Sequence, residues 1–509
     1  MGFDDPFTGY TVMLRVIVYG LVPAFTVVQF VRLRRALHVF QLEGYKRRRF
    51  LAWCADNKRR ALWLRPAGAK KPLAMTGRAW RLLIIATLLS PLLVLAPSGV
   101  AHIALGGWPA DVATWIATTA LVFFFTSQLL VAADWLLSPV QTTINAGYMR
   151  AARRRLDDID PVVIGVTGSF GKTSTKFAIE GLIGPSESAL ATPGSFNTPL
   201  GVCRTINERL SKGHRYFVVE MGAYGVGEIA ELCRFTRPKV GVLTSIGPAH
   251  LERFGSLANI RRAKYELIAS LPADGVAVMN VDDQAVRELA DGTSHVRVVR
   301  YGVDPAGAPD VTATDVATTT EGTELKIVER STGESRAAPT KLLGRHAIGH
   351  LLAGVAVARS LGRSLSELAA AISELQPVEH RLQIIAGTGG ITVIDDAYNS
   401  NPEGAAAALE VLESMPARRR VVVTPGMVEL GDLQVEYNRE LGERAAAVAD
   451  TLIVVAGLNR RAITAGADGG RAEVLTVDSL EEASARLRDL LAPGDVVLFE
   501  NDLPDQYES

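Results

Sequence analysis

The stretch GVTGSFGKTSTK, Gly165–Lys176, decides the fold of most of this chain. It follows the β-branched run PVVI and precedes KFAIEGLIG, whose apolar residues recur with helical spacing. A glycine-rich turn between a strand and a helix brings backbone N–H groups and the positive end of the helix to one place. Lys172 adds a cation there, and the Thr173 hydroxyl can reach a magnesium ion. The stretch therefore predicts a phosphate-binding loop, against the alternative of a glycine-rich turn without a ligand.

The spacing of this loop departs from the usual pattern G-x-x-x-x-G-K-[ST]. That pattern places a glycine where this chain has Val166, and the glycines stand instead at Gly165 and Gly168. We expect a nucleotide to contact seven residues of the loop and its helix: Thr167, Gly168, Ser169, Gly171, Lys172, Thr173 and Ser174.

Composition sets broad limits on the rest of the chain. The 509 residues carry 54 basic and 54 acidic side chains, so the net charge gives no indication of nucleic-acid binding. The length leaves room for about three domains. Cys54, Cys203 and Cys233 form no C-x-x-C pair, which predicts free, reduced thiols.

The N-terminal quarter is strongly apolar. Residues 82–110 and 112–133 contain no Asp, Glu, Lys or Arg, and each run can cover a bilayer core of about 30 Å. An earlier apolar run has Arg15 near one end, where the side chain can reach the interface. We predict three transmembrane helices, at about 10–31, 82–105 and 113–133. For the first, the alternatives are an interfacial amphipathic helix and a cleaved signal peptide.

Basic residues are clustered between the first two predicted spans. The clusters are Arg32–Arg35, Lys46–Arg49, Lys58–Arg60 and Lys70–Lys71, and the loop between the second and third spans has none. The positive-inside rule then places the N-terminus outside and everything after Ala133 in the cytoplasm. We therefore predict a multi-pass protein of the bacterial cytoplasmic (inner) membrane, in contact with membrane lipids, whose catalytic domains are cytosolic.

The remaining sequence alternates apolar strand-like runs, such as RYFVVEMG and KVGVLTSIG, with helical segments. This alternation predicts an α/β fold with a mostly parallel sheet, and Thr-rich alternation over 311–328 predicts an antiparallel flap. A second strand and helix series from Leu382 predicts a separate Rossmann-like domain. The predicted parts are a membrane region 1–138 with a basic cytosolic loop, a linker 139–158, a central nucleotide-binding domain 159–378 and a C-terminal domain 379–509.

Three further stretches join the loop in one order along the chain. They are VVEMGAYGVGEIAEL (218–232), LTSIGPAHLERFGSLANIRRAKYEL (243–267) and VIDDAYNSNP (393–402), the last followed by GMVELGD (426–432). Together with G-x-T-G-S-x-G-K-T-S they resemble the Mur ligase family, and within it the MurF type, over about 161–455. The resemblance implies an ATP-dependent, ADP-forming ligase that joins a carboxylate to an amine through an acyl phosphate, with ATP and Mg²⁺ as cofactors.

Phosphoryl transfer to a carboxylate depends on positioning and charge neutralisation, so it needs acidic metal ligands near the loop. Glu220 ends a strand-like run, where it can hold a magnesium ion shared with Thr173; a solvated surface Glu is the alternative. The resemblance implies that His250 binds a second magnesium ion, and that Lys264 is carbamylated and becomes an anionic metal ligand. Without the resemblance, Lys264 would be a surface helix residue.

The resemblance also assigns residues of the C-terminal domain. Asp396 and Asn399 resemble residues that meet the ribose and the incoming amine, and Arg381 resembles an arginine that reaches ATP across the domain cleft. Catalysis would then require domain closure. An ordinary turn or surface role is the alternative for each. In all, the resemblance implies that Lys172, His250, Lys264 and Asn399 are catalytic and that His350, Arg381 and Asp396 contact the nucleotide.

Several positions depart from the family pattern. Ala347 and His350 stand where the family usually has two asparagines, one of which meets adenine, so the His350 ring keeps that contact or the contact is lost. Asn438 replaces a usual histidine, and ENDLPDQYES lacks the usual closing Lys-Gly-Ser. The predicted membrane region replaces the domain that grips UDP.

These departures favour a membrane-anchored amide ligase. Its expected substrates are a small-molecule or lipid-linked carboxylate and the amine of an amino acid or peptide, within cell-envelope or polymer synthesis and beside other envelope-synthesis proteins. The first alternative is a conventional MurF-type ligase that adds D-alanyl-D-alanine to a peptidoglycan precursor. The second is a non-catalytic nucleotide-binding scaffold, against which the charges of Lys172, Glu220, His250 and Lys264 argue.

Overall fold

The computed structural model describes residues 20–58, 72–105, 108–184, 188–194, 196–319, 322–386, 388–397, 400–428 and 430–502. These residues belong to two compact units, which divide after Gly147. The N-terminal unit is helical. Its described helices are Val22–Leu42, Arg47–Asp56, Gly77–Leu105 and Trp108–Phe124, and the helix Thr126–Ile159 begins within it. Leu33, Leu37 and Phe40 belong to the same buried cluster as Leu82 and Leu83.

The chain bends by 79° between Phe124 and Thr126. The last carbonyl groups of a helix have no partner within the helix and need donors from elsewhere. Gln29 Nε2 donates to the carbonyl of Val122 at 2.8 Å, and the guanidinium of Arg32 donates to the next carbonyl at 3.0 Å. Both donors are buried side chains of one helix, so this contact between helices satisfies the broken end.

The predicted location in the inner membrane is wrong, and the three predicted spans are not confirmed. Among the described residues, one helix, Gly77–Ala101, is long and apolar enough to cross a membrane, or two if the bent pair is counted as one span. The predicted span 113–133 is divided by the 79° bend. Residues 10–19 of the first predicted span lie outside the described residues. One or two such helices among the described residues are weak support for three crossings, because each crossing needs about 20 apolar residues.

The second unit contains a nine-stranded sheet in the order β2-β3-β1-β4-β5-β6-β7-β8-β9. Its strands are β1 Val162–Thr167, β2 Ala189–Ala191, β3 Tyr216–Glu220, β4 Val240–Leu243, β5 Val276–Asn280, β6 Arg297–Tyr301, β7 Val311–Thr319, β8 Gly322–Glu329 and β9 Glu334–Ala337. The first six strands are parallel. The antiparallel strands β7 to β9 extend the same sheet, which confirms the predicted flap.

Helices cover this larger sheet. They are Lys172–Ile183, Pro199–Glu208, Glu228–Thr236, Leu251–Phe254, Leu257–Ala269, Gln284–Gly292, Gly344–Ser360 and Leu365–Glu374. The helix that follows the glycine loop packs against Gly344–Ser360. Gly354 allows this close approach, since a Cβ there would lie 2.9 Å from Leu182 Cδ1 and 3.3 Å from backbone atoms of Ala178.

A smaller, six-stranded sheet follows in the order β10-β11-β15-β12-β13-β14. Its strands are β10 Gln383–Ala386, β11 Thr392–Asp396, β12 Arg420–Thr424, β13 Thr451–Val455, β14 Glu473–Val477 and β15 Val496–Glu500, and its helices are Pro402–Ser414, Gln434–Val448, Arg460–Ala467 and Leu480–Leu490. Only the β10–β11 pair is antiparallel among the described strands of this sheet. The predicted α/β architecture is confirmed. The boundaries at 138, 158 and 378 stay predictions.

Two helices of the smaller domain meet through glycines. A Cβ at Gly442 would lie 2.1 Å from the carbonyl oxygen of Ile463, and a Cβ at Gly466 would lie 1.8 Å from that of Arg439. Real Cβ atoms do not approach an oxygen so closely, so these two positions require glycine for the helices to pack.

We expect Gly442→Ala to lower the free energy of unfolding by about 1–3 kcal/mol, the usual cost of overpacking. Alanine gains about 1 kcal/mol over glycine in a helix, but the clash is with backbone and cannot be relieved by a side-chain rotation. Gly292→Ala is the matched control, because no atom lies within 4 Å of its Cβ position. Urea unfolding of both variants checks this, and equal midpoints would contradict the packing argument.

Candidate functional site

The loop between β1 and the helix Lys172–Ile183 brings backbone close to two neighbouring segments. Gly171 has φ +76°, a left-handed conformation that favours glycine. A Cβ at Gly171 would lie 2.3 Å from His350 Cε1, and a Cβ at Gly168 would lie 1.9 Å from Thr244 Oγ1. The two glycines therefore let the loop lie directly against the segment after β4 and against His350.

Hydrogen bonds fix the loop in this position. The Ser169 amide donates to the carbonyl of Ser245 at 2.9 Å, and its hydroxyl donates to the carbonyl of Gly247 at 2.9 Å. The Phe170 amide donates to Ser245 Oγ at 2.9 Å, and Thr167 Oγ1 donates to a neighbouring backbone carbonyl at 2.8 Å. The predicted ligands Thr167 and Ser169 thus use their hydroxyl groups, and Ser169 also its amide, to hold the loop in place.

Lys172 folds back over the loop. Its Nζ donates to the carbonyls of Gly168 and Ser169 at 2.8 and 2.9 Å. Burial lowers the pKa of Lys172 to about 8; Glu220 acts in the opposite direction, and Arg381 lowers the pKa further. Both direct acceptors of the Lys172 ammonium are uncharged carbonyls. A phosphate would supply a negatively charged partner for it.

Glu220, at the end of β3, is 1% exposed. Its Oε2 accepts from Thr173 Oγ1 at 2.9 Å and from Lys176 Nζ at 3.0 Å, and its Oε1 accepts from Asn197 Nδ2 at 3.1 Å. Burial alone would raise the pKa of Glu220, but the charges of Lys176 and Lys172, with the hydrogen bonds, outweigh burial and lower it. The carboxylate is therefore ionised, and the alternative of a solvated surface Glu is wrong.

Thr173 and Glu220 offer the hydroxyl and carboxylate oxygens that Mg²⁺ prefers. Magnesium usually takes one or two carboxylates and completes its shell with phosphate oxygens and water. Within the described residues, no three His, Cys, Asp or Glu side chains converge as a metal cage. The donor set thus fits a magnesium ion that is held jointly with a nucleotide.

His250 precedes the helix Leu251–Phe254 and has φ +56°. Its ring packs edge to face with that of Tyr224, with centroids 5.0 Å apart. The Arg253 guanidinium lies 4.3 Å from the centroid of the same tyrosine ring. The structure therefore places His250 in an aromatic and cationic cluster beside the segment after β4.

Lys264 is 3% exposed, so the surface alternative for it is wrong. Burial, together with the charge of Lys172, lowers the pKa of Lys264 to about 7, although Glu228, Glu220 and Glu266 act in the opposite direction. A large fraction of this amine is neutral near pH 7. The neutral amine is the nucleophilic form, and buried lysines with such pKa values serve as reactive groups.

A cavity of about 340 Å³ lies beside the loop within the second unit. Residues of both sheets' domains line it, and it brings together five predicted nucleotide ligands: Gly171, Ser174, His350, Arg381 and Asp396. Glu220, His250 and Lys264 do not line it. Lys172, in the helix that follows the loop, is close enough to both Glu220 and Lys264 to shift their pKa values.

His350 and Asp396 have unusual ionisation. Burial, with the charges of His346 and Arg381, lowers the pKa of His350 to about 3, so its ring is neutral; its Nδ1 lies 3.1 Å from Thr175 Oγ1. Burial raises the pKa of Asp396 to about 6, against the effects of a hydrogen bond from the Leu382 amide and of the Arg381 charge. The neutral ring of His350 is suited to contact the base of a nucleotide, and the carboxyl group of Asp396 is suited to accept hydrogen bonds from its ribose.

One predicted site residue cannot be placed, and several residues of the site were not predicted. Asn399 lies outside the described residues. Lys176 and Asn197, which orient Glu220, were not predicted from the sequence. Lys176 had a signal, since it stands four residues after Lys172 and so on the same side of the helix; Asn197 had none. The cavity-lining residues Arg345, His346 and Glu403 were also missed.

Comparisons with known proteins identify relatives of this arrangement. The family model of the Mur ligase middle domain matches residues 166–358, and that of the Mur ligase glutamate ligase domain matches 380–500. The UDP-N-acetylmuramoyl-tripeptide--D-alanyl-D-alanine ligase of Mycobacterium tuberculosis is 35% identical over 359 residues, 66% of this chain and 69% of that protein. The Escherichia coli protein of the same name is 34% identical over 308 residues, 60% of this chain and 67% of that protein.

Solved structures agree. MurF from Acinetobacter baumannii matches with a TM-score of 0.64 and 27% identity, over 71% of this chain and 78% of that chain. The MurF ligase of Thermotoga maritima in complex with ADP matches with a TM-score of 0.63 and 28% identity, over 70% of this chain and 80% of that chain.

The buried pair of Lys176 and Glu220 makes a stability prediction. Lys176→Met removes the only cation in direct contact with this carboxylate among the described residues and should lower the free energy of unfolding at pH 7 by about 3–5 kcal/mol. The double variant Lys176→Met/Glu220→Gln removes both charges and should recover most of that loss. Urea unfolding of both variants measures the effect, and a single variant as stable as the wild type would contradict the pairing.

The pH dependence has a defined sign. In the wild type the lowered pKa of Glu220 gives stability above the unfolded pKa of a glutamate, and this stability is lost as pH falls through the folded pKa. In Lys176→Met the charge that opposes burial most strongly is lost, while Lys172 and the Asn197 hydrogen bond remain. The folded pKa of Glu220 should therefore rise above its wild-type value, so protonation should reduce the loss of stability as pH falls.

Proposed function

Because the chain belongs to the MurF type of the Mur ligase family, it is an ATP-dependent, ADP-forming ligase that uses Mg²⁺, and we propose that it joins D-alanyl-D-alanine to a UDP-N-acetylmuramoyl tripeptide. The relatives at 34–35% identity carry the name of this reaction. The expectation of a lipid-linked acceptor rested on the missing domain that grips UDP, taken together with the predicted inner-membrane location, and that location is wrong. The conventional ligase is therefore the first choice, and its product belongs to peptidoglycan synthesis.

The observation that carries this proposal is the contact of Thr173 Oγ1 with Glu220 Oε2 at 2.9 Å, directly behind the glycine loop. It puts the metal-binding oxygens and the phosphate-binding amides on neighbouring elements. A scaffold that only binds a nucleotide has no need of a buried, ionised carboxylate at this point. Such a group is costly to bury and requires its own lysine.

ATP, when bound, supplies the phosphoryl group that activates the acceptor carboxylate. The helix N-terminus and Lys172 would hold its phosphates and neutralise their charge. Thr173 and Glu220 would hold the first magnesium ion. His250 and a carbamylated Lys264 would hold a second one near the acceptor carboxylate. These residues act mainly by placing charge, which is the main requirement of phosphoryl transfer.

The smaller domain would complete the site. We propose that the neutral ring of His350 contacts adenine, that Asp396 accepts from the ribose hydroxyls and that Arg381 reaches the phosphates. Asn399 would bind the incoming amine. Since Arg381 and Asp396 line the same cavity as the loop residues Gly171 and Ser174, closure of the smaller domain would bring these groups onto one nucleotide.

The purified protein should release phosphate and form a ligated product only when ATP, Mg²⁺, UDP-N-acetylmuramoyl tripeptide and D-alanyl-D-alanine are all present. Lys172→Ala removes the phosphate cation and should lower the rate by a factor on the order of a hundred. Lys212→Ala, at an exposed lysine, is the control and should keep the wild-type rate. Phosphate release and product mass are measured together. Turnover with other acid and amine pairs but not with these would reject the named substrates, and absence of turnover with every pair would favour the scaffold.

Carbamylation of Lys264 has its own test. With ¹³C-labelled bicarbonate, NMR should show a carbamate signal that Lys264→Arg lacks. The signal should grow from pH 6 to pH 8 at constant dissolved CO₂, because the pKa of about 7 makes the neutral amine more abundant over that range. An identical signal in the arginine variant would show that other amines produce it and would remove Lys264 from the proposed metal ligands.

A further inference from the structure

The linker between the two sheets carries two strained residues. It runs from the helix Leu365–Glu374 to β10, and near its end His380 has φ +59° and Leu382 has φ +44°. Residues other than glycine rarely adopt a positive φ, and such strain persists only where surrounding contacts hold it. Arg381 lies between them.

The first strained residue belongs to a turn. The Arg381 amide donates to the carbonyl of Val378 at 3.1 Å, so His380 occupies the third position of a four-residue turn. With a positive φ, this position usually holds glycine or asparagine. A histidine there needs a further contact to hold the turn.

Two adjacent carboxylates at the end of β11 supply such contacts. Asp395 Oδ2 lies 2.7 Å from His380 Nδ1, and Asp396 Oδ1 accepts from the Leu382 amide at 3.2 Å. The Asp395 side chain is well covered, and its other oxygen accepts from the Ala397 amide at 3.1 Å. Each strained residue is thus tied to a carboxylate whose position is set by the smaller sheet.

Arg381 is the residue whose direction these contacts control. It lines the nucleotide cavity together with Asp396 and His350. Its charge is near enough to lower the pKa of Lys172. Because both neighbours of Arg381 are hydrogen-bonded to residues of β11, the position of its backbone is fixed relative to the smaller sheet. The Arg381 side chain therefore enters the cavity from a fixed backbone position.

We propose that His380 and Asp395 form a latch that holds the linker turn and aims Arg381 at the phosphates of the nucleotide. His380 is then a positioning residue that acts through Arg381. The inference rests on the proposed function, since it takes the cavity to be the ATP site. Because the latch joins the linker to β11, Arg381 and the smaller sheet should move together as one rigid body.

The test is the affinity for a non-hydrolysable ATP analogue with Mg²⁺, measured by titration calorimetry on the full chain. Arg381→Ala should weaken binding about tenfold, the scale of a charge-assisted hydrogen bond. His380→Ala removes the latch and disfavours the turn, and should weaken binding about fivefold. His380→Asn tolerates positive φ and can still reach Asp395, so it should stay within about twofold of wild type.

The double variant His380→Ala/Arg381→Ala separates positioning from a general structural role. If His380 acts through Arg381, its substitution should cost nothing more once the arginine is gone. Losses that multiply, or wild-type binding by His380→Ala, would overturn the latch. The thermal unfolding midpoint of His380→Ala shows whether that variant folds. If it does not, His380→Gly replaces it in the same comparison with Arg381→Ala, because glycine keeps the turn but lacks the contact with Asp395.

This measurement needs neither acceptor nor amine. Failure of the ligation assay on the named substrates therefore leaves the latch test intact, and failure of the latch leaves the proposed reaction intact. Absence of analogue binding by the wild-type protein would overturn both, because the cavity would then not be a nucleotide site.

Discussion

The buried carboxylate of Glu220 is the constraint on which the site depends. An ionised group at the end of an inner strand is costly unless charges and hydrogen bonds compensate it. Thr173 and Lys176 approach it from the helix after the glycine loop, and Asn197 approaches it from the segment after β2. The register that pairs Val166 with Glu220 brings the loop to the same place. An apolar pair could stabilise this core equally well, so the charges fit the magnesium ion that we propose at this carboxylate.

Close helix packing also fixes the position of His350 relative to the glycine loop. Gly354 lets the helix Gly344–Ser360 lie against the loop helix, and Gly171 lets the ring of His350 reach the loop itself. The neutral imidazole and the phosphate-binding amides are therefore fixed by one interface. Addition of a single methyl group at either glycine would move His350, which we propose contacts the base, relative to the loop, which we propose binds the phosphates.

What the sequence predicted well was local. A β-branched run, a glycine turn and a helical pattern are adjacent in Pro161–Gly184, so their order needs no knowledge of distant contacts. The role of Asn197 depends on the meeting of two segments far apart in sequence. The burial of Lys264 likewise depends on helix packing, which no charge pattern reveals. The predicted span 113–133 is not confirmed for a related reason: hydropathy does not show that the helix is broken there, or that Gln29 and Arg32, some ninety residues earlier, donate to the carbonyl groups at its end.

The charges around the loop are not balanced within the protein. Burial lowers the pKa of both lysines, Lys172 and Lys264; the charge of Arg381 lowers that of Lys172 further, and the charge of Lys172 lowers that of Lys264 further. A nucleotide brings negative charge to Lys172 and Arg381, and a carbamate would turn Lys264 from a cation into an anion. Both changes relieve the same repulsion, but only the nucleotide leaves again at the end of a turnover. In the proposed mechanism the carbamate would therefore belong to the resting enzyme, where it would give a metal ion an anionic ligand before the nucleotide arrives.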